Sequence, residues 1–197
     1  DEEGVVYHVL QEKPENKEVL CRLDTRRRLI HTQHHSGQHL LSATCFDLYQ
    51  YETLSFHLSD ETATIDLNVE ALSEEEMTTI EQEVNRRIIA NYPVRTFYIN
   101  REEAENYPLR KIPDGHKKLR IVEIVGIEYN ACGGTHVRST AEIGLIKLLK
   151  QEKVRGNIRL YFVCGLRLLE DYSRQLAVTG VYCKIKVQSN AKKKYIT

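Results

Sequence analysis

The chain has 197 residues and a mass of 22.9 kDa, enough for one compact domain or for one domain with a fragment of another. Hydrophobic residues at 41% and charged residues at 28% exclude a disordered chain, and no apolar run approaches the roughly 20 residues of a membrane helix. Twenty-eight Lys and Arg balance 28 Asp and Glu, so no overall field advertises a polyanionic partner, and DEEGVVYHVLQEKPE is too acidic for a secretory signal; these features predict a cytoplasmic protein with no membrane contact.

Taken in chain order, Val5 and Val6, His8 to Leu10 and then Val19 to Leu23 read as strands around a polar turn from Gln11 to Lys17. Asp24 or Thr25 can cap a helix through Leu29, Ile30, Leu40, Leu41, Phe46 and Leu48 to about Tyr51. Ser55 to Leu58 and Ala63 to Val69 alternate apolar and polar residues as a half-buried hairpin does. Ser73 with Glu76 makes a capping box for a helix with Met77, Ile80, Val84 and Ile88 on one face, stopped by Asn91-Tyr92-Pro93. Its acidic residues Glu74, Glu75 and Glu76 fall in the first turn, where the helix dipole favours them.

A strand at Val94 to Ile99, a short helix started by Asn100 with Glu103, and a strand at Leu119 to Val125 follow. Leu145 to Cys164 reads as two strands around Arg155-Gly156-Asn157, and Leu166 to Leu176 as a helix. From Val178 the periodicity is lost and a mobile tail is expected. The fold class is therefore α+β, an antiparallel sheet with the histidine helix and the capped acidic helix packed against it.

Two residue pairs carry chemistry. His35 and His39 lie four apart on the first helix, so both rings share one face and can meet one ion, whereas His34 faces elsewhere. Cys132 and His136 are also four apart, in a glycine-containing turn, and thiolate with imidazole suits zinc. Together they make a possible four-ligand set; the bland alternative is a buried thiol beside a sharp Gly133-Gly134 turn. The five cysteines are odd in number and widely spread, which argues against a disulfide framework and for free thiols or metal ligation.

Asp24 to Leu41, DTRRRLIHTQHHSGQHLL, with Ala131 to Ile143, ACGGTHVRSTAEI, resembles the alanyl-tRNA editing proteins, the freestanding AlaX group related to the editing domain of alanyl-tRNA synthetase. Between and beyond these motifs SFHL, the TIDL strand, LRIVEI, IGLIKLL and RLYFVCG match in order and spacing, so the resemblance covers about Gly4 to Tyr172. It implies a threonyl/alanyl-tRNA synthetase editing-domain-like fold, zinc held by His35, His39, Cys132 and His136, and hydrolysis of the ester of Ser-tRNA(Ala) and of Gly-tRNA(Ala). It also implies three segments: 1–24, a remnant of an N-terminal barrel-like domain; 25–172, the zinc-containing editing domain; and 173–197, a helix end and mobile tail. The Gly-Gly-Gly-Gln-Pro motif that longer members carry in the barrel does not occur.

An alanine-sized pocket rejects serine only about a hundredfold, so a second site must demand the hydroxyl that alanine lacks. Ser36, the hydroxyl residue after the first ligand histidine, is the expected reader of that group. Gln38 is a candidate to orient a ligand or water, and Gly133 and Gly134 suggest a close backbone approach or a positive φ, with N–H groups offered to an oxyanion. His57 reads as structural. Arg26, Arg27 and Arg28, with Lys117, Lys118 and Arg120, are the candidate tRNA phosphate contacts. Three protein ligands and an open position would favour a zinc-activated water, four ligands an anchoring ion, and the sequence leaves this open. Two other readings are an editing fragment of an alanyl-tRNA synthetase-like protein and a zinc-stabilised RNA-binding module without turnover. Nothing in the sequence specifies an oligomeric state.

Overall fold

Asp24 starts the first helix, α1 (Thr25–Tyr49), by accepting from the Arg27 N–H at 2.9 Å, and Gln50 ends it in the left-handed region at φ 59°. The computed structural model describes residues 7–15, 18–59 and 61–193. Every residue of α1 from Gln33 to Cys45 is buried, so the helix runs through the molecule with neighbours on all sides. Polar side chains in that stretch are therefore cut off from bulk water.

The strands β1 (Thr53–Leu58) and β2 (Ala63–Leu67) form the expected hairpin. Helix α2 (Glu74–Ile89) carries the expected capping box, with the Glu76 N–H on Ser73 Oγ at 3.1 Å and the Ser73 N–H on Glu76 Oε2 at 2.7 Å. It buries Ile80, Val84 and Ile88. β3 (Val94–Asn100), a 3-10 turn (Arg101–Asn106), β4 (Lys118–Ile124) and β5 (Glu128–Ala131) follow. A second 3-10 turn (Thr140–Ile143) leads to β6 (Ile146–Val154) and β7 (Asn157–Cys164). Arg155 and Gly156 both take positive φ between them, the primed turn a two-residue hairpin prefers. Helix α3 (Gly165–Lys193) ends the described chain.

The α+β expectation holds, with the strands divided over two antiparallel sheets, β1-β2-β7-β6 and β3-β4-β5. The larger sheet packs its inner face, including Ile65, Leu67, Leu160 and Phe162, against α1 and α2, and this is the main core. The smaller sheet holds a second cluster of Ile99, Ala104, Leu119 and Ile121. At Gly37, in mid-α1, an added Cβ would lie 3.0 Å from Cys164 Sγ and 3.3 Å from Ile146 Cδ1, so the glycine lets the helix approach β6 and β7 closely.

Three expectations change. The strands at His8 to Leu10 and Val19 to Leu23 are not formed: those residues are irregular and exposed, with no neighbouring strand among the described residues to pair with, and Val5 and Val6 lie outside the description. β5 was not foreseen, because four residues after the tight turn at Gly126 give too short a pattern to distinguish from a loop. In place of a tail losing its order after Val178, α3 continues to Lys193; no proline interrupts that stretch. Residues 194–197 of the expected tail lie outside the description. Among the described residues no helix is long and apolar enough to cross a membrane.

Candidate metal centre

Two elements meet at the site. α1 presents His35 and His39 one turn apart, and the loop after β5 presents Cys132 and His136. The Cys132 N–H continues the ladder to the Arg120 carbonyl at 2.9 Å, which fixes where the cysteine leaves the sheet. One ligand atom from each of the four residues lies within 4.8 Å of all the others. Cys132 Sγ is 3.4 Å from His35 Nε2 and 3.4 Å from His136 Nε2. With zinc bonds of ~2.0 to ~2.3 Å, the edge of a tetrahedron is about 3.3–3.6 Å, so these separations fit one shared ion. Three imidazoles and one thiolate are also a borderline-soft donor set that zinc favours.

The electrostatics agree. Burial opposes ionisation of Cys132, but hydrogen bonds from His136, His35 and His39, and from the Gly134 N–H, overcome it and bring the thiol down to about 3. Burial likewise opposes charge on His39, while Cys132 and Glu128 raise it to about 9. Burial holds His136 at about 4, so its ring is neutral. These hydrogen bonds thus favour the ionised form of the sulfur, the form that binds a metal.

Around these four, several side chains act as supports. Ser36 is buried; its Oγ lies 3.1 Å from His136 Nδ1 and accepts from the Val137 N–H at 3.1 Å. Its oxygen is enclosed and set to orient the His136 ring. Gly134 has no positive φ; its glycine character serves His35, whose Cε1 would lie 2.1 Å from an added Cβ. Gly133 is exposed with open space around it.

Gln38 donates from Nε2 to Ser42 Oγ at 2.9 Å, and its Oε1 is buried without a hydrogen-bond partner. Arg120, expected at the tRNA surface, turns inward and donates from Nη1 to the carbonyls of Cys132 and Gly134, both at 2.8 Å. It holds the ligand loop in place. Arg26 pairs with Glu170. The backbone of Arg27 serves the cap of α1, while Lys117 and Lys118 are exposed as expected. His57 is exposed on the edge strand β1.

Other residues emerge only here. Phe56, half-exposed, stacks on the His35 ring at 5.9 Å and 24°. Thr32 and Thr135 pair hydroxyl to hydroxyl at 3.0 Å across the two ligand-bearing elements, on the exposed side. Glu128 and Asn130 approach His39 from β5. Their signal was visible in EYNAC, where Glu128, Asn130 and Cys132 alternate along one face of a strand.

Comparisons with known proteins bear on the same region. Residues 119–161 match the family model described as the threonyl and alanyl tRNA synthetase second additional domain. The chain is 37% identical over 161 residues to the alanyl-tRNA editing protein Aarsd1-A of Xenopus laevis, covering 80% of this chain and 39% of that protein. It is 35% identical over 188 residues to the alanyl-tRNA editing protein AlaX-L of Pyrococcus horikoshii, covering 89% and 45%. It is 34% identical over 179 residues to an alanine–tRNA ligase of Methanothrix thermoacetophila, covering 83% and 19%. The chain spans about two-fifths of the length of the editing proteins it matches.

Proposed function

We propose that this chain, similar over four-fifths of its length to alanyl-tRNA editing proteins, is a zinc-dependent trans-editing hydrolase that deacylates mischarged tRNA(Ala). Ser-tRNA(Ala) is its substrate, with Gly-tRNA(Ala) the second, and residues 25–172 are the working unit. The observation that carries this reading is the convergence of His35, His39, Cys132 and His136 within 4.8 Å at the meeting of α1 and the loop after β5.

In the reaction a water oxygen adds to the ester carbonyl carbon, and the ribose oxygen leaves with a proton, releasing free amino acid and tRNA. Zinc would be held by the four residues named and would supply a positive charge that anchors the substrate; four convergent protein donors favour this over a water-activating site. The chain's own residues do the rest. Cys132 and His136 are set by the Arg120 and Ser36 hydrogen bonds, which keep the pocket in one geometry. The unpaired Gln38 Oε1 is a buried acceptor that can hold an internal water. The role first expected of Ser36 passes to the Thr32–Thr135 pair: its mutual bond uses one hydroxyl proton and leaves the other for a seryl oxygen.

The tRNA backbone meets Lys117 and Lys118, whose side chains are exposed. The test is deacylation of Ser-tRNA(Ala) by the zinc-loaded protein and by His39→Ala. The zinc-loaded protein releases serine and the variant does not; a metal-free variant hydrolysing at the parent rate would overturn the reading.

A further inference from the structure

Glu128 is buried on β5 with its side chain only 4% exposed, yet none of the expected site residues explains a carboxylate there. Its Oε2 lies 3.6 Å from His39 Nδ1 and has no hydrogen-bond partner. Its Oε1 meets Arg110 Nη2 at 3.3 Å, and the Arg110 guanidinium sits 4.4 Å over the ring of Phe46, which belongs to α1. The carboxylate is thus braced against the same helix that carries His39. Asn130, two residues on along the same strand face, places its amide 3.1 Å from the same His39 Nδ1.

We propose that Glu128 is the positioning residue of the metal centre: it fixes the His39 ring and tautomer so that Nε2 is presented to the ion, and it neutralises the charge that zinc and one thiolate leave. This inference rests on the zinc reading above. The chemistry follows from the ring. An imidazole that gives the lone pair of Nε2 to a metal must carry its proton on Nδ1, and that N–H needs an acceptor. Nδ1 is the nitrogen turned to Glu128 and Asn130, which leaves Nε2 for the cluster. The Asn130 amide exchanges its oxygen and nitrogen by a half-turn about χ2, so it can join Glu128 as acceptor.

Charge makes the same demand. Zinc with the Cys132 thiolate and three neutral imidazoles carries one net positive charge in a largely buried place, and a buried charge requires a partner. Glu128 is the carboxylate beside His39, and Arg110, half-exposed, holds its other oxygen without enclosing a second full charge.

Zinc affinity of the full chain, measured by competition with a chromophoric chelator, tests this without any tRNA. Glu128→Gln keeps the shape and an acceptor but loses the charge, and weakens zinc binding about tenfold; Glu128→Ala loses both and approaches about 100-fold. With cobalt in place of zinc, both variants shift the visible ligand-field bands, which a purely structural role would leave alone. Glu123→Gln is the control, since Glu123 binds the Tyr129 hydroxyl at 2.7 Å on the other face of the strand, and it leaves affinity and spectrum unchanged. Glu128→Gln alone decides if the alanine variant does not fold. Parent-like affinity, to within about twofold, with an unshifted cobalt spectrum in Glu128→Gln would overturn the proposal. A parent chain that binds no zinc overturns this and the zinc reading together; one that binds zinc but leaves Ser-tRNA(Ala) intact defeats only the editing reading.

Discussion

Gly134→Ala separates a glycine required by the metal centre from one that merely turns the chain. An added Cβ would lie 2.1 Å from His35 Cε1 and 2.5 Å from Nδ1, deep inside van der Waals contact. Ordinary contact begins near 3.4 Å, so ring or loop must retreat by about 1.3 Å. Metal–ligand distances tolerate only about 0.2 Å, so a retreat of that size removes His35 from the coordination sphere or carries Cys132 and His136 away with the loop. Loss of an orienting partner alone costs roughly 10–100-fold in metal affinity, and loss of a ligand costs at least the upper figure. Chelator competition and metal content after dialysis measure this directly. Gly133→Ala is the internal control, because nothing lies within 4 Å of its added Cβ and its φ is not positive. The reasoning fails if Gly134→Ala holds zinc like the parent, or if the two alanines lose it equally.

Four further outcomes follow from the same geometry. Ser36→Ala leaves the Val137 N–H unpaired in a buried place and destabilises the protein by about 1–3 kcal/mol in urea unfolding; an unchanged midpoint speaks against the role given to Ser36. Arg120→Ala frees the Cys132 and Gly134 carbonyls, so zinc affinity falls while the salt dependence of tRNA binding stays as it was; a changed salt slope would return Arg120 to the tRNA surface. Replacing Lys117 and Lys118 by alanine does the reverse, lowering the slope of log affinity against log salt by up to ~2 with zinc affinity intact; an unaltered slope removes the pair from the interface. Hydrogen bonds from Arg86 first and then Arg87, against the opposing effect of burial, hold Glu83 at about 2. A carboxyl lowered on folding contributes stability above its ordinary range near 4.5 and loses it as pH falls toward 2. For this largely solvent-screened group the contribution is at most about 1 kcal/mol. Urea unfolding at pH 5 and at pH 3 should show the parent losing more than Glu83→Gln; parallel losses would remove this ion pair from the acid response.

How legible the protein was in its sequence depends on whether a feature is local. Helices α1 and α2 could be read because their start signals and their 3.6-residue spacing lie within one segment, as Asp24 and the Ser73–Glu76 box show. His35 and His39 could be paired for the same reason, since residues four apart on a helix share a face, whereas only the folded loop brings Cys132 and His136 to them. The Arg155-Gly156 hairpin followed from its turn residues. Where a pattern was too short, as in β5, or had nothing to pair with, as at His8 to Leu10, local propensity misled.

Residue type and spacing set the chemistry of the centre, a thiol and three imidazoles in two pairs, together with most of the elements that carry them. Only the tertiary structure decided what each supporting side chain does, because those contacts join residues far apart in the chain. Ser36 meets His136 across 100 positions and Gly134 makes room for His35, while Glu128 stands behind His39. A hydroxyl, a guanidinium or a carboxylate has the same appearance in a sequence whether it faces solvent, substrate or another side chain. Burial and the direction of its one or two hydrogen bonds make the difference, and both are properties of the packed chain.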